Sequence, residues 1–262
     1  MSTVHNKTLP ESVVLITGAL TGIGRAAAIA FVKEGSKVVV SGRKEEAGQQ
    51  LVKELQTMGA SSTFIKADVS KEVEVEALID AIVSRFGRLD IAVNNAGTEG
   101  QPGPIVDQTR ESYEATFDTN VLGTLLSMKH ELRIMFKQKS GSIVNISSTF
   151  GKRAAAGASI YVASKHAIEG LTKAAALEGA PYGVRVNAVA PGPTDTGMLT
   201  RFAGSAENKQ QLTRGVPMKR LGLPEEVAQA IVFLGSDKSP FLSGQILGVD
   251  GAKSAVDSGS LK

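Results

Sequence analysis

Short β-branched runs recur along almost the whole chain with longer amphipathic stretches between them, and that rhythm leaves few folds open. The runs are Val13–Thr17, Lys37–Ser41, Thr63–Lys66, Ile91–Asn94, Ser142–Ile146, Arg185–Val189 and Gln245–Val249. Segments such as VVLIT and KVVVS are apolar continuously rather than alternately, as suits a parallel strand covered on both faces. Between them lie helical patterns at Ile23–Glu34, Glu45–Met58, Val73–Phe86, Ser112–Lys137, Tyr161–Gly179 and Pro224–Leu234. Strictly alternating β and α units imply right-handed crossovers and a doubly wound α/β sheet of about seven parallel strands, with helices on both faces.

No Pro/Gly/Ser linker splits off a second unit, and 262 residues fit one large domain, 1–262. The rhythm fails once, from Pro191 to Pro217, where Gly, Pro, Thr and polar residues precede a weak helix. A long irregular insertion in a compact fold is expected to be a lid or binding loop. The tail over 253–262 is small and polar and is expected to be loosely held.

Composition mainly excludes. Cysteine is absent, so disulfides, thiolate catalysis and cysteine-ligated zinc are out. His5, His130 and His166 stand far apart with no metal-ligand spacing, and no metal site is expected. A net charge of +3, with no basic run interleaved with aromatics, gives no case for nucleic acid. Met1 to Ser12 is polar and lacks a signal-peptide core, and no apolar run approaches the ~20 residues that span a bilayer. No membrane partner is expected, and a cytoplasmic protein is.

The first strand runs into Thr17-Gly18-Ala19-Leu20-Thr21-Gly22-Ile23-Gly24 and then a helix. Gly18 permits a tight turn, Gly22 lets the backbone approach a pyrophosphate, and Gly24 lets the helix pack close to the sheet. The free N–H groups opening the helix complete an anion site. This predicts dinucleotide binding. Cofactor choice is read at the end of the second strand, where NAD binders place a carboxylate for the ribose 2′-hydroxyl. Here the chain reads Ser41-Gly42-Arg43-Lys44, which offers a guanidinium and an ammonium to a 2′-phosphate. The bland alternative is that Arg43 and Lys44 open a solvated helix, their charge offset by Glu45 and Glu46. NADP(H) is preferred, with NAD(H) possible.

Tyr161-Val-Ala-Ser-Lys165 puts a phenol and an ammonium four residues apart on one helix face. Carbonyl reduction needs such a pair, because hydride adds to carbon while oxygen takes a proton. A free tyrosine titrates near pH ~10. A neighbouring cation favours the phenolate, so Lys165, helped by a positively charged oxidised nicotinamide, is expected to bring it lower.

With these residues in view, the sequence resembles the short-chain dehydrogenase/reductase family over about Val13 to Gly251. The resemblance rests on TGALTGIG at Thr17–Gly24, Asp68 in KADV, NNAG at Asn94–Gly97, Asn120 in TNVLG, Ser147–Ser148, YVASK at Tyr161–Lys165 and PGPTDT at Pro191–Thr196. It implies a single-domain sheet of Rossmann type with Tyr161 as acid/base and Ser148 orienting the substrate oxygen. Lys165 would hold the nicotinamide ribose, and Asn120, through a water, would relay protons to Lys165. The implied cofactor set is Gly18, Thr21, Gly22, Ile23, Gly24, Ser41, Arg43, Lys44, Asp68, Val69, Asn95, Ala96, Gly97, Tyr161, Lys165, Pro191, Gly192, Thr194 and Thr196. Asn120 as a mere kink or buried cap remains the structural alternative, and Ser147 reads as a turn residue without a catalytic part. Two positions depart from the family pattern: Thr21, where NADP binders often carry a base, and Ala252, where a second glycine usually follows the last strand.

The implied activity is hydride transfer between NADP(H) and a ketone, aldehyde or alcohol. The alternatives are an NAD(H)-dependent sugar or polyol dehydrogenase and, from a different class, a dinucleotide-binding sensor or scaffold. The substrate is expected against Ser148, Phe150, Tyr161, Met198 and Phe202, within the stretches Thr98–Gln101, Thr149–Phe150, Ala155–Ser159 and Met198–Phe202, with Arg153 and Arg201 nearby. Small residues on two long helices (Ala163, Ala167, Gly170, Ala174, Ala175) permit close packing against another subunit. The family resemblance implies a homotetramer built through these helices, with a dimer as fallback.

Overall fold

The computed structural model describes residue 9 and residues 11–255; His5, Pro10 and the end of the tail lie outside the described residues. Seven parallel strands form one sheet: β1 (Val13–Thr17), β2 (Lys37–Gly42), β3 (Ser62–Lys66), β4 (Ile91–Asn94), β5 (Gly141–Ile146), β6 (Val184–Pro191) and β7 (Ile246–Val249). Their order is β3-β2-β1-β4-β5-β6-β7. The chain winds outward from β1 to β3, crosses back to lay β4 on the other side of β1, and winds outward again. That reversal opens a crevice at the carboxyl ends of β1 and β4, where Thr17 stands level with Ser41 on one side and Asn94 on the other.

The unbroken apolar strands are explained by two cores, one on each face. Val14, Ile16, Val38 and Val40 point to a cluster with Phe31 of α1 (Gly22–Lys33) and Val227 and Ile231 of α9 (Pro224–Gly235). Val13, Leu15 and Val39 point the opposite way, to Leu78 and Ile82 of α3 (Glu72–Phe86) and Met135 of α5 (Gly123–Gln138). Side chains alternate along a strand, so a strand buried on both faces is apolar along most of its length. Burying each such Val or Leu contributes ~1.5–3 kcal/mol, and truncating fully buried Ile231 to Ala would cost ~2–5 kcal/mol. The remaining helices are α2 (Glu45–Thr57), α4 (Arg110–Phe117), α6 (Ser159–Gly179), α7 (Gly197–Ala203) and α8 (Ala206–Arg214).

A buried polar rung crosses the carboxyl ends of β4 and β5. The Asn94 amide donates to Asn145 Oδ1 and to Glu131 Oε2, both at 3.0 Å. Asn145 Nδ2 donates in turn to Thr172 Oγ1 at 2.9 Å.

Two expectations are corrected, and the start of the tail shows contacts of its own. The stretch Ser112–Lys137 is not one helix: α4 begins at Arg110 and is separated from α5 by a π-helical turn, Asp118–Leu122. The turn tucks Asn120 inward, where it is fully buried and bonds the loop after β4. The insertion 191–217 carries two helices rather than one weak one, α7 capped by Thr196 and α8 by Ser205. The beginning of the tail is held: Lys253 Nζ donates to Gly215 O at 2.9 Å, and Arg153 donates to the Lys253 carbonyl. Ala252 takes φ +69°, so this chain places an alanine in the left-handed conformation that the expected glycine would adopt freely.

Candidate active site

The turn after β1 is built for a close approach. Gly18 and Gly22 have φ of +61° and +54°, and a Cβ on Gly18 would lie 2.7 Å from the Ala96 backbone. Asn95 Nδ2 fastens the turn by donating to the carbonyls of Thr17 and Gly18 at 3.1 and 2.9 Å. No side chain caps the first turn of α1, and its N–H groups lack helical partners, which is the arrangement that binds an anion.

One continuous cleft runs from this turn along the carboxyl edge of the sheet. Gly18, Thr21, Gly22 and Ile23 line it, with Ser41, Arg43 and Lys44 beyond β2 and Asp68 and Val69 beyond β3. Asn95, Ala96 and Gly97 form its middle, and Pro191, Gly192, Thr194 and Thr196 its far wall. Buried Ser41 Oγ has no hydrogen-bond partner. A buried hydroxyl without a partner, beside two exposed cations and a glycine-formed anion site, fits the ribose and phosphates of a dinucleotide. Burial pushes the Asp68 carboxyl upward, but hydrogen bonds from Ser70 and the charges of Arg43 and Lys71 outweigh it and hold the group below its ordinary range.

The reactive end is set by β5 and α6. Ser148 follows β5 and accepts from Phe150 N at 3.2 Å, capping a short 3-10 turn. Tyr161 and Lys165 project from one face of α6, and the Tyr161 hydroxyl is hydrogen-bonded to Ser148. Lys165 Nζ donates to the Ile146 carbonyl at 2.9 Å and lies 5.5 Å from the Tyr161 ring centroid. Phe150 meets the Tyr161 ring edge-on at 6.2 Å, and Phe202 of α7 stands 6.5 Å from the same ring. With Met198 these rings give the cleft an apolar end. Across its mouth, Arg201 of α7 grips Glu99 through two bonds of 2.5 and 3.1 Å.

In the protein alone the electrostatics run against an easily ionised phenol. Burial pushes the Tyr161 phenol up to about 12; the bond to Ser148 offsets part of this and the Glu99 charge adds to it. Burial also pushes Lys165 down, to about 8. Desolvation penalises both charged forms, so in the protein alone the lysine does not lower its neighbour. The phenol holds its proton throughout the neutral range.

Two expected residues stand outside the cleft lining. Gly24 lies under the turn, where a Cβ would meet Asn95 Nδ2 at 2.4 Å, so its absence of side chain serves turn packing. Asn120 donates to Thr98 O at 2.9 Å and Ser164 Oγ at 3.1 Å and accepts from Thr98 N at 2.8 Å. Its amide thus joins the loop after β4 to α6. Of the expected substrate stretches, Glu99, Thr149–Phe150 and Met198, Leu199, Arg201 and Phe202 line the cleft, whereas Ala155–Ser159 do not. Leu20, Thr119, Leu212 and Lys253 line it without having been expected. Only the chain path after β7, invisible in sequence, brings Lys253 there. Among the described residues no group of His, Asp and Glu side chains could hold a metal ion.

Fold and site together define an oxidoreductase that works on the alcohol/carbonyl pair. The family model described as enoyl-(acyl carrier protein) reductase matches residues 18–252. A Thermotoga maritima protein described as an uncharacterized oxidoreductase is 41% identical over 93% of this chain and 98% of its own. Levodione reductase superposes with a TM-score of 0.92 at 34% identity, covering 95% of this chain and 99% of that one. A variant of actinorhodin polyketide ketoreductase, solved with NADPH, gives 0.90 at 35% identity, covering 98% and 100%. The chain belongs to the short-chain dehydrogenase/reductase family, whose members use a nicotinamide dinucleotide.

Proposed function

We propose that this protein is an NADP(H)-preferring carbonyl reductase of ketones or aldehydes. The observation that carries the reading is the Ser148–Tyr161 hydroxyl pair at the apolar end of the cleft, with a phenol kept protonated by burial. A reduction needs a proton donor where the carbonyl oxygen comes to rest, and a neutral phenol oriented by a second hydroxyl is one. Ser148 and Tyr161 are assigned the substrate oxygen, and Phe150, Met198 and Phe202 its apolar flanks. The bound dinucleotide supplies the hydride. Gly18, Thr21, Gly22 and Ile23 would hold its pyrophosphate, Asp68 and Val69 its adenine, and Lys165 its nicotinamide ribose.

The preference for the 2′-phosphate rests on Arg43 and Lys44, which line the cleft just past β2 where no carboxylate stands. The NADPH in the ketoreductase's structure agrees with it. Loss of reduced-nicotinamide absorbance with a panel of cyclic and linear ketones, run with each dinucleotide, tests the reading. Turnover with NADPH well above NADH is expected, and no turnover with any carbonyl would overturn it.

Among the described residues no helix is long and apolar enough to cross a membrane. We further assign a homotetramer built through the exposed faces of α4, α5 and α6, where Tyr113, Leu125 and Leu177 are exposed. Sedimentation showing an active monomer would refute it.

A further inference from the structure

Ser147, the first of the paired serines, takes no part in the chemistry above, yet it is only 3% exposed. Its Oγ donates to Glu169 Oε1 at 3.0 Å, a contact across 22 residues of chain. Glu169 is itself buried, at 5% exposure. It stands one helical turn beyond Lys165 and two beyond Tyr161 on α6, so all three share one face.

The other end of the same turn rests on the same carboxylate. A Cβ on Gly151 would come within 2.2 Å of Glu169 Oε1 and 2.6 Å of Ser147 Oγ. The turn therefore lies flush on the carboxylate with no room for even a methyl group. Ser148 is thus held between two neighbours, Ser147 and Gly151, that both meet Glu169. Its own backbone leaves little slack: Ser147 N donates to Val189 O at 2.8 Å, and Gly151 N donates to Ser148 O at 2.8 Å.

We propose that Glu169 is a positioning residue that sets the height of Ser148 over Tyr161. It does so by pinning the turn after β5 to the helix that carries the acid/base. A buried carboxylate accepting a hydroxyl is a strong and directional anchor. It lies eight residues past the phenol on a rigid helix, so it fixes the turn relative to that phenol rather than to the sheet alone. The inference rests on the reading of Ser148 and Tyr161 given above and extends it to a residue that touches neither substrate nor dinucleotide.

The test is steady-state reduction of a ketone that the unaltered chain turns over, in four variants. Glu169→Ala removes the acceptor, Ser147→Ala the donor, and Gly151→Ala forces the turn off the carboxylate. Glu169→Gln keeps an acceptor at the same place. A displacement of about 1 Å at a reacting group costs on the order of 100-fold in rate. The first three variants should accordingly lose roughly 10- to 100-fold in kcat with an unchanged KM for the dinucleotide. Glu169→Gln should recover most of the activity. Ser147→Ala/Glu169→Ala should be no worse than the poorer single variant, because both remove one contact.

Full kcat in folded Glu169→Ala, a Gln variant as poor as the Ala variant, or losses that multiply in the double variant would each overturn the proposal. Should Glu169→Ala not fold, Ser147→Ala, which removes only a hydroxyl, decides in the same way. Absence of turnover in the unaltered chain overturns the functional reading and this inference with it. Turnover that survives Glu169→Ala overturns the inference alone.

Discussion

Replacing Glu131 by Gln should make this protein more stable, and the gain should grow with pH. Glu131 is fully buried on α5. One carboxyl oxygen takes the Asn94 amide at 3.0 Å, while Oε1 has no partner and neither has Asn94 Oδ1. Burial pushes the carboxyl from 4.5 up to about 8, with the Asn94 bond opposing only weakly. Between those two values the unfolded chain gives up the proton that the folded chain keeps. Ionisation therefore favours unfolding, and stability falls as pH rises through this window, by ~1.4 kcal/mol per unit. Below 4.5 the effect is absent, and by pH 7 it amounts to ~3 kcal/mol. Gln has the same shape, never ionises, and keeps an oxygen to accept the Asn94 amide. Urea unfolding followed by circular dichroism should place the two chains close together at pH 4.5. At pH 7 the variant should lead by ~3 kcal/mol, worth roughly 6–12 °C in midpoint at this chain length. Every other titrating group is common to both chains and cancels in the difference. Parallel stability curves from pH 4.5 to 8 would refute the reasoning.

Tyr161→Phe should leave fold and dinucleotide binding intact, measured by nicotinamide fluorescence, while turnover drops by ~10²–10⁴; near-normal turnover would remove the residue from its role. Lys165→Met should lower turnover as severely and also weaken the dinucleotide, because it removes a ribose anchor as well as a cation. Arg43→Ala should weaken NADPH by roughly 10- to 100-fold, the worth of a charge-assisted bond to phosphate, and leave NADH nearly unchanged. Equal weakening of both would mean that Arg43 does not read the 2′-phosphate.

The sheet was legible in sequence because its strands carry a local signature: burial on both faces leaves runs such as Val13–Ile16 and Val38–Val40 apolar without alternation. The glycine turn and the Tyr161/Lys165 pair were legible for the same reason, since each lies within one turn or one helix. What escaped depends on residues distant in the chain. The π-helical turn at Asp118–Leu122 accompanies the bonds of Asn120 to Thr98, 22 residues back, and to Ser164, 44 residues on. No helical periodicity records either. The upward push on Tyr161 comes from burial among neighbours such as Phe150 of the turn after β5 and Phe202 of α7, and from the Glu99 charge, so Lys165 alone was a poor guide to it. Ser147 looked like a bystander because its partner, Glu169, sits in the middle of an otherwise ordinary amphipathic helix.

The ion pair between Arg201 and Glu99 has a kinetic meaning. Arg201 keeps 64% of its side chain in solvent although Glu99 is only 12% exposed, so water can take over its hydrogen bonds as the pair parts. A pair of this kind holds with ~0–1 kcal/mol. If the insertion moves as a lid, the pair would act as a weak catch on the helix that carries Phe202. Traffic through the mouth of the cleft should then quicken as salt screens the catch. The half-buried, uncharged Ser148–Tyr161 pair behind it should be indifferent to the same change.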